Sequence, residues 1–208
     1  MNNEMKKAED VKVTIIPKEK EIDQIITDHV LFSMAAGAIP IPVLDILAVS
    51  AIQLDMLKQL AKKYDVSFDD EAGKSIVSSL LGTTLGTTIG RTGASVVKAI
   101  PGLGTILGIG SQAVLSGITT FAIGYLFNQH FGNHKPLQDF KIEDVKEYFN
   151  DLIQKGKNFV DNIQKNTNKN MEEMKDETAV VLKRMSETGI IQDSDLKKIL
   201  KAMNIEKD

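Results

Sequence analysis

The sequence predicts an all-α fold, and three observations support this class. Apolar residues recur at three- and four-residue spacing over most of the chain, as on one face of a helix. Glycine recurs at every fourth position between residues 82 and 90, which is also a helical spacing. No segment alternates apolar and polar residues over the length of a strand. We therefore expect a helical bundle around a glycine-rich apolar hairpin, followed by an amphipathic helical arm and a short C-terminal helical hairpin.

The first predicted helix begins at Glu21, after a polar segment at residues 1–20 that is expected to be a flexible tail. Pro40 and Pro42 end this helix, because proline lacks an N–H group and disfavours helical geometry in the residue before it. The two prolines form an elbow, and a second helix is expected over residues 43–64.

Asp45 is the only acidic or basic residue between positions 30 and 54. A buried carboxylate needs hydrogen-bond or charge partners. At the start of a helix, Asp45 can cap it by accepting backbone N–H groups. Alternatively, Asp45 forms a buried ion pair with Arg91 across the bundle. The sequence is compatible with both roles.

The next two helices are predicted to form a hairpin. Ser67 is expected to cap the first of them, which runs to about residue 100. Pro101 and Gly102 predict a turn, and the second helix continues to about residue 131. Glycines along one side of each helix would let the pair approach closely. These positions are Gly82, Gly86 and Gly90 in the first helix, and Gly104, Gly108 and Gly117 in the second.

Charge is absent from most of this hairpin. Residues 99–134 and residues 75–90 contain no Asp, Glu, Lys or Arg. Each predicted helix is roughly 37 Å long at 1.5 Å per residue, which is enough to span a hydrocarbon core of ~30 Å. Arg91 argues against spanning, because an arginine inside the bilayer costs ~2.5 kcal/mol or more. A membrane-inserted hairpin and a tightly buried one therefore remain the two alternatives.

The remainder of the chain is more polar. Residues 137–187 are rich in charged side chains but keep an apolar stripe at helical spacing, which predicts amphipathic helices. Gly189 is expected to end them, and a last short helix follows. The expected parts are a flexible tail, a helical core, an amphipathic arm and a C-terminal interaction module, at residues 1–20, 21–134, 135–187 and 188–208.

The chain offers no set of residues that is typical of an enzyme. Gly73-Lys74-Ser75 resembles the end of a phosphate-binding loop, but Phe68 stands where that loop needs its first glycine. His130 and His134 have the spacing of metal ligands on a helix without a clear third ligand. The chain has no cysteine, and its net charge of −3 gives no argument for nucleic acid. We expect no catalysis, no cofactor, no metal ion and no nucleic-acid partner.

Three short motifs carry a family resemblance. Residues 35–45 (AAGAIPIPVLD), 53–57 (QLDML) and 60–64 (LAKKY) precede the glycine-rich hairpin with its Pro-Gly turn. Over about residues 22–131, this pattern resembles the YcjF-like bacterial family of unknown function, although Asp65 stands where the family has glycine. Members often occur beside or fused to small GTPases of the Era or Ras type, and many are described as membrane proteins. The resemblance implies a membrane and a small GTPase as partners, but this chain carries no GTPase domain.

A second resemblance covers the C-terminus. Residues 182–200 are similar to a short helical-hairpin module found at the end of many bacterial proteins, with Gln192 where that module has threonine. The resemblance implies oligomerisation or contact with a partner, so a homo-oligomer is expected.

These observations predict a non-enzymatic, membrane-associated protein at the cytoplasmic face of the bacterial inner membrane. It would insert or dock through the hairpin and associate with itself. The first alternative is a soluble cytoplasmic adaptor or regulatory domain that binds a small GTPase or another protein. The second is a pore-forming or toxin- or immunity-like bundle, because colicin-type bundles also enclose an apolar hairpin.

Overall fold

The computed structural model describes residues 2–41, 43–89, 109–166 and 171–205. All regular structure in these ranges is helical, which confirms the predicted all-α class. A single 3-10 turn at Leu137–Asp139 connects two of the helices. The α-helices are α1 (Asn2–Gly37), α2 (Leu44–Lys63), α3 (Asp70–Ile89), α4 (Ile109–Gly132), α5 (Ile142–Asn166), α6 (Met171–Glu187) and α7 (Asp193–Ala202).

Helix α1 begins at Asn2, whereas the sequence predicts a flexible tail over residues 1–20 and a helix from Glu21. The difference has a local reason. Residues 2–20 contain five lysines and three glutamates, which have high helix propensity. They lack the apolar periodicity on which the prediction depended, so helix propensity rather than an apolar face extends α1 to its N-terminus.

The predicted break between the first two helices is confirmed. Helix α1 ends at Gly37 and α2 begins at Leu44. Pro40 lies in the connection, and Pro42 lies outside the described residues. Val43, immediately before α2, has a φ of 78°, a left-handed conformation that is rare for a β-branched residue.

The N-cap of α3 is Asp69, not the expected Ser67. The Asp69 side chain accepts a hydrogen bond from the Ala72 N–H group at 2.7 Å. Asp69 takes this role because it directly precedes the first helical residue, Asp70, whereas Ser67 lies too far upstream to reach the N–H groups of the first turn.

Helices α1, α2 and α4 form the centre of the bundle. Contacts between α2 and α4 follow the same order along both helices, so the two run parallel: Asp45 to Gln112, Gln53 to Thr120, and Tyr64 to Asn128. Helix α1 runs antiparallel to α4, since Met34 lies at Gly117 and Ile26 lies at Gly124.

The later helices complete this core. Helix α5 packs on α4, where Phe159 contacts Phe121 with ring centroids 4.8 Å apart. Helix α6 packs on α1 and α2, and α7 folds back on α2 and α6. Residues 135–187 and 188–208, which the sequence separates as an arm and a module, therefore bury side chains in the bundle. These include Phe149, Leu152, Ile153, Val160, Leu182, Met185, Ile199 and Met203.

Two glycines of α4 face α1. A Cβ atom at Gly117 would lie 2.7 Å from Met34 Cγ, and one at Gly124 would lie 2.9 Å from Ile26 Cγ2. Gly37 of α1 is equally close to α4, because a Cβ atom there would lie 2.8 Å from Ser116 Cβ. The predicted contact between Gly117 and the preceding glycine-rich helix stays a prediction.

Candidate functional site

Exposed apolar side chains concentrate at the connection between α1 and α2. Four large apolar residues lie within seven positions there, and we call them the apolar elbow: Ile41, Val43, Ile46 and Leu47, with 41%, 63%, 53% and 41% of their surface exposed. Among the described residues, the other large apolar side chain with comparable exposure is Val180 on α6. The elbow is thus a contiguous apolar surface rather than a scatter of single residues.

The elbow presents no charge because its acid faces inwards. Asp45 is the second residue of α2 and is 6% exposed. Its carboxylate accepts a hydrogen bond from the Gln112 side chain of α4, and another from the Ile46 N–H group at 2.8 Å. The N-cap position itself is Val43, which forms no side-chain cap hydrogen bond. A negative charge in the first turn is favourable at the positive end of the helix dipole.

The apolar elbow lies beside the first turn of α4. The hydrogen bond from Gln112 to Asp45 holds the first turn of α4 against the start of α2. Gly82 and Gly86 belong to α3, and Gly117 belongs to α4. The remaining predicted positions lie outside the described residues, and so does the predicted ion pair of Asp45: Gly90, Arg91, Pro101, Gly102, Gly104 and Gly108.

The opposite end of α2 is charged. Lys63 pairs with Glu21 of α1, and Lys58 pairs with Asp70 of α3 at 2.8 Å. With 20 residues, α2 is about 30 Å long, so the apolar elbow and this charged end lie on opposite sides of the bundle. Two ion pairs therefore lie at the end of α2 that is opposite the elbow.

A buried charged cluster connects three helices between these ends. Asp55 of α2 is 4% exposed, and its Oδ2 atom accepts hydrogen bonds from His29 at 3.0 Å and Gln59 at 2.8 Å. Arg184 of α6 donates to the same oxygen. Burial by itself would raise the pKa of Asp55, but the hydrogen bonds and positive charges of His29 and Arg184 hold that pKa below its usual value.

His29 links the backbone of α1 to the Asp55 carboxylate of α2. Its Nδ1 atom lies 2.7 Å from the Ile25 carbonyl oxygen, and its Nε2 atom lies 3.0 Å from the Asp55 carboxylate. The side-chain amide of Gln59 lies 3.5 Å from the same Nε2 atom. His29 therefore has polar neighbours at both ring nitrogens, and it joins α1 to α2 within the core.

A second polar layer crosses the core nearer the elbow. Thr120 of α4 donates to Ser33 of α1 at 2.8 Å, and the Gln53 amide of α2 donates to Thr120 at 3.0 Å. The carbonyl oxygen of Gln53 is buried without a hydrogen-bond partner in the described part of the chain. This layer aligns three helices but brings together no nucleophile, base and acid of the kind that covalent catalysis requires.

The comparisons with known proteins place the chain in a family. Residues 7–158 match the family described as a domain of unknown function, DUF697. The chain belongs to the DUF697 family. It is 37% identical over 136 residues to magnetosome membrane protein 22 of Magnetospirillum gryphiswaldense, a match that covers 65% of this chain and 70% of that protein. No solved structure matches the chain.

The DUF697 match agrees with the expectation of an uncharacterised family, whereas the association with small GTPases stays a prediction. Within the described ranges, no helix is both long enough and apolar enough to cross a bilayer.

Two motifs of this DUF697 chain have structural roles instead of chemical ones. Gly73 is buried in α3, where a Cβ atom would lie 2.8 Å from Leu54 Cδ1, so the Gly-Lys-Ser motif provides a close helix contact and not a phosphate loop. His130 donates to the Pro136 carbonyl oxygen at 2.9 Å. No group of three or more His, Cys, Asp or Glu side chains within the described ranges is arranged to hold a metal ion.

The sequence analysis did not find the Asp55 cluster. His29 falls on an apolar face, and Asp55 ends the long low-charge segment that starts at residue 30. Two complementary ionisable residues on the apolar faces of adjacent predicted helices were the available signal. Arg184 gave none, because it lies in a segment where charged residues are frequent.

Proposed function

We propose that this DUF697 protein is a non-enzymatic protein that docks on a membrane through its apolar elbow. The observation that carries the proposal is the exposure of four large apolar side chains around an acid that is turned into the bundle. The chain aligns with more than two thirds of the length of a relative that is named a magnetosome membrane protein. The name of this relative supports the same function.

The size of the elbow indicates weak and reversible binding. Burying a large apolar side chain completely contributes about 1.5–3 kcal/mol, so four half-exposed side chains contribute on the order of 3–6 kcal/mol. A single myristoyl chain gives only marginal membrane binding, and stable attachment needs a second signal. Stable attachment of the elbow to a membrane therefore needs a further contribution to the binding free energy.

We propose that the glycine-rich, uncharged segment and self-association supply this contribution. Gln112 places the first turn of α4 beside the elbow, and α4 belongs to the uncharged segment at residues 99–134. Self-association would present several elbows to one surface and raise the effective concentration of each. By resemblance to bacterial YcjF-like proteins, we propose the cytoplasmic face of the inner membrane as the location and a small GTPase as a protein partner.

Vesicle flotation tests the proposal. The wild-type chain is mixed with phosphatidylethanolamine–phosphatidylglycerol vesicles and compared with the double variant Ile41→Asn/Val43→Asn. Asparagine removes apolar surface and accepts the left-handed conformation of Val43 better than other polar residues. We expect the partition constant of the double variant to fall about tenfold, which corresponds to about 1.4 kcal/mol.

Val180→Asn is the matched control, because Val180 is as exposed as Val43, at 63%, but lies on α6 away from the elbow. Its partition constant should equal that of the wild type. Equal losses in both variants would show that general surface apolarity, not the elbow, drives binding. If the wild-type chain does not float at all, the soluble adaptor replaces membrane docking, and release of an encapsulated dye would support the pore-forming alternative.

A further inference from the structure

A groove of about 410 Å³ lies next to the apolar elbow. It is bounded by α2, α3 and the connection from α6 to α7. Ile46 and Leu47 of the elbow form part of its exposed wall. Its inner lining is apolar and consists of Ala51, Leu54, Val77 and Ile191, which are buried, with Ile190 half-buried beside them. The volume falls within the range of about 300–1,000 Å³ that small-molecule sites occupy.

The groove carries one positive charge at its edge. Lys74 and Ser78 line it from α3, four residues apart and therefore on the same helix face. Asp195 lines the other side but is paired with Lys198 at 3.0 Å. Lys74 forms no ion pair with an acid in the part of the chain that the structure describes. The lining is thus apolar inside, with a cation and a hydroxyl group at the mouth.

We propose that this groove binds one acyl chain of a lipid whose head group is an anionic phosphate. The acyl chain lies on the buried apolar lining, and the phosphate accepts hydrogen bonds from Lys74 and Ser78. This inference rests on the proposed function, because the elbow that contacts the membrane shares Ile46 and Leu47 with the groove and leads the lipid into it.

The charge at the mouth favours a lipid as the occupant. Lys74 complements an anionic head group, and Ser78 beside it can donate a hydrogen bond to the same phosphate. A flexible acyl chain can follow the buried apolar lining below these two residues.

Calorimetric titration with monoacyl lipids tests the groove without a bilayer. The probes are lysophosphatidylglycerol, the zwitterionic lysophosphatidylcholine and glycerol phosphate, which is the head group alone. We expect saturable one-to-one binding of lysophosphatidylglycerol below its micellar concentration and about fivefold weaker binding of lysophosphatidylcholine, as one exposed charge pair provides. Glycerol phosphate should not bind measurably, because the apolar lining contributes most of the affinity.

Variants assign the binding to this groove. Lys74→Gln should lower the affinity for lysophosphatidylglycerol about fivefold and that for lysophosphatidylcholine by less, because the choline cation already offsets the charge of its phosphate. Lys62→Gln, at the charged end of α2, is its matched control and should change neither. Ser50→Phe fills the groove from a half-buried position outside the core, so both lipids should lose at least about tenfold in affinity.

Absence of saturable lysophosphatidylglycerol binding to the wild type would overturn the proposal, and so would binding that Ser50→Phe leaves intact. A dimer that Ser50→Phe converts to monomer, without lipid binding, would show that a second copy fills the groove. The two proposals fail separately. Vesicle flotation of Ser50→Phe tests membrane docking by the elbow, because this variant fills the groove and leaves the elbow unchanged. Binding of monoacyl lipids to Ile41→Asn/Val43→Asn tests the groove, because this variant changes the elbow and leaves the groove lining unchanged.

Discussion

The carboxylate of Asp55 stands on α2 and accepts hydrogen bonds from His29 on α1 and Arg184 on α6. These three residues are far apart in sequence, and the cluster exists only because the three helices pack together. Removing one partner of a buried ion pair leaves the charge of the other partner without compensation, which typically costs about 3–5 kcal/mol. Asp55 is therefore expected to contribute more to stability than any exposed ion pair of the bundle.

Asp55→Asn tests this contribution. At neutral pH we expect the free energy of unfolding to fall by about 3 kcal/mol, because His29 and Arg184 lose the carboxylate that lies between them. The folded-state pKa of Asp55 lies below its unfolded value, so its contribution is complete above the unfolded pKa and is lost as pH falls through the folded one. The difference between wild type and variant should therefore shrink in acid, below about pH 4.

Urea unfolding of both proteins between about pH 3 and pH 7 measures this difference. Asp28→Asn is the control, because Asp28 precedes His29 and bonds only Gln24 at the surface. Its stability should match the wild type at each pH. A difference in stability between the wild type and Asp55→Asn that stays constant with pH would contradict an ionised Asp55 in the core.

At the scale of helices, the close approach of α1 and α4 depends on small residues. Gly37, the last residue of α1, faces Ser116 and the backbone oxygen of Gln112. A Cβ atom at Gly37 would lie 3.1 Å from that backbone oxygen. Gly117 and Gly124 of α4 face Met34 and Ile26 of α1. Van der Waals contact along this line replaces interdigitated side chains, so an added methyl group must push the helices apart.

Gly37→Ala should lower the free energy of unfolding by about 1–3 kcal/mol, because its methyl group meets a side-chain carbon and a backbone oxygen that cannot turn away. Gly132→Ala is the matched control, since Gly132 also ends a helix and its Cβ atom would lie an ordinary 3.6 Å from the Tyr64 ring. The control should be neutral or more stable by up to about 1 kcal/mol. Equal denaturation midpoints for Gly37→Ala and wild type would show that α1 and α4 can separate freely.

The ends of the helices could be predicted from the sequence more accurately than the helices against which they pack. Pro40 located the end of α1, and the apolar spacing that follows it located α2 to within one residue at each end. Periodicity shows which face of a helix is apolar, but it does not show which neighbour covers that face. For this reason the contact of Gly117 with Met34 of α1 was not predicted. The elbow's exposure was likewise not predictable, because Ile46 and Leu47 are chemically identical to core residues of the same helix.

At the scale of the whole molecule, α7 closes the bundle on the side of the elbow. Ile199 of α7 and Met203, which directly follows this helix, are buried in one apolar cluster with Leu44 and Ala48 of α2 and Leu182 of α6. The predicted C-terminal module therefore uses its apolar face within its own chain. Its outer face carries lysines, among them Lys197, Lys198 and Lys201. Self-association through residues 188–208 would have to use this charged face.

Ile199→Ala tests whether the C-terminal module packs within its own chain or against a second copy. Ile199 is fully buried, so we expect the free energy of unfolding to fall by about 2–5 kcal/mol. Because the lost contacts lie within one chain, the loss should be the same at protein concentrations about a hundredfold apart, whereas an interface between copies would give a midpoint that rises with concentration. Sedimentation of Lys198→Glu then tests the outer face. A change of oligomeric state in that variant, with unchanged stability, would locate self-association on the charged surface of α7, and a concentration-dependent loss in Ile199→Ala would contradict the packing of α7 on its own bundle.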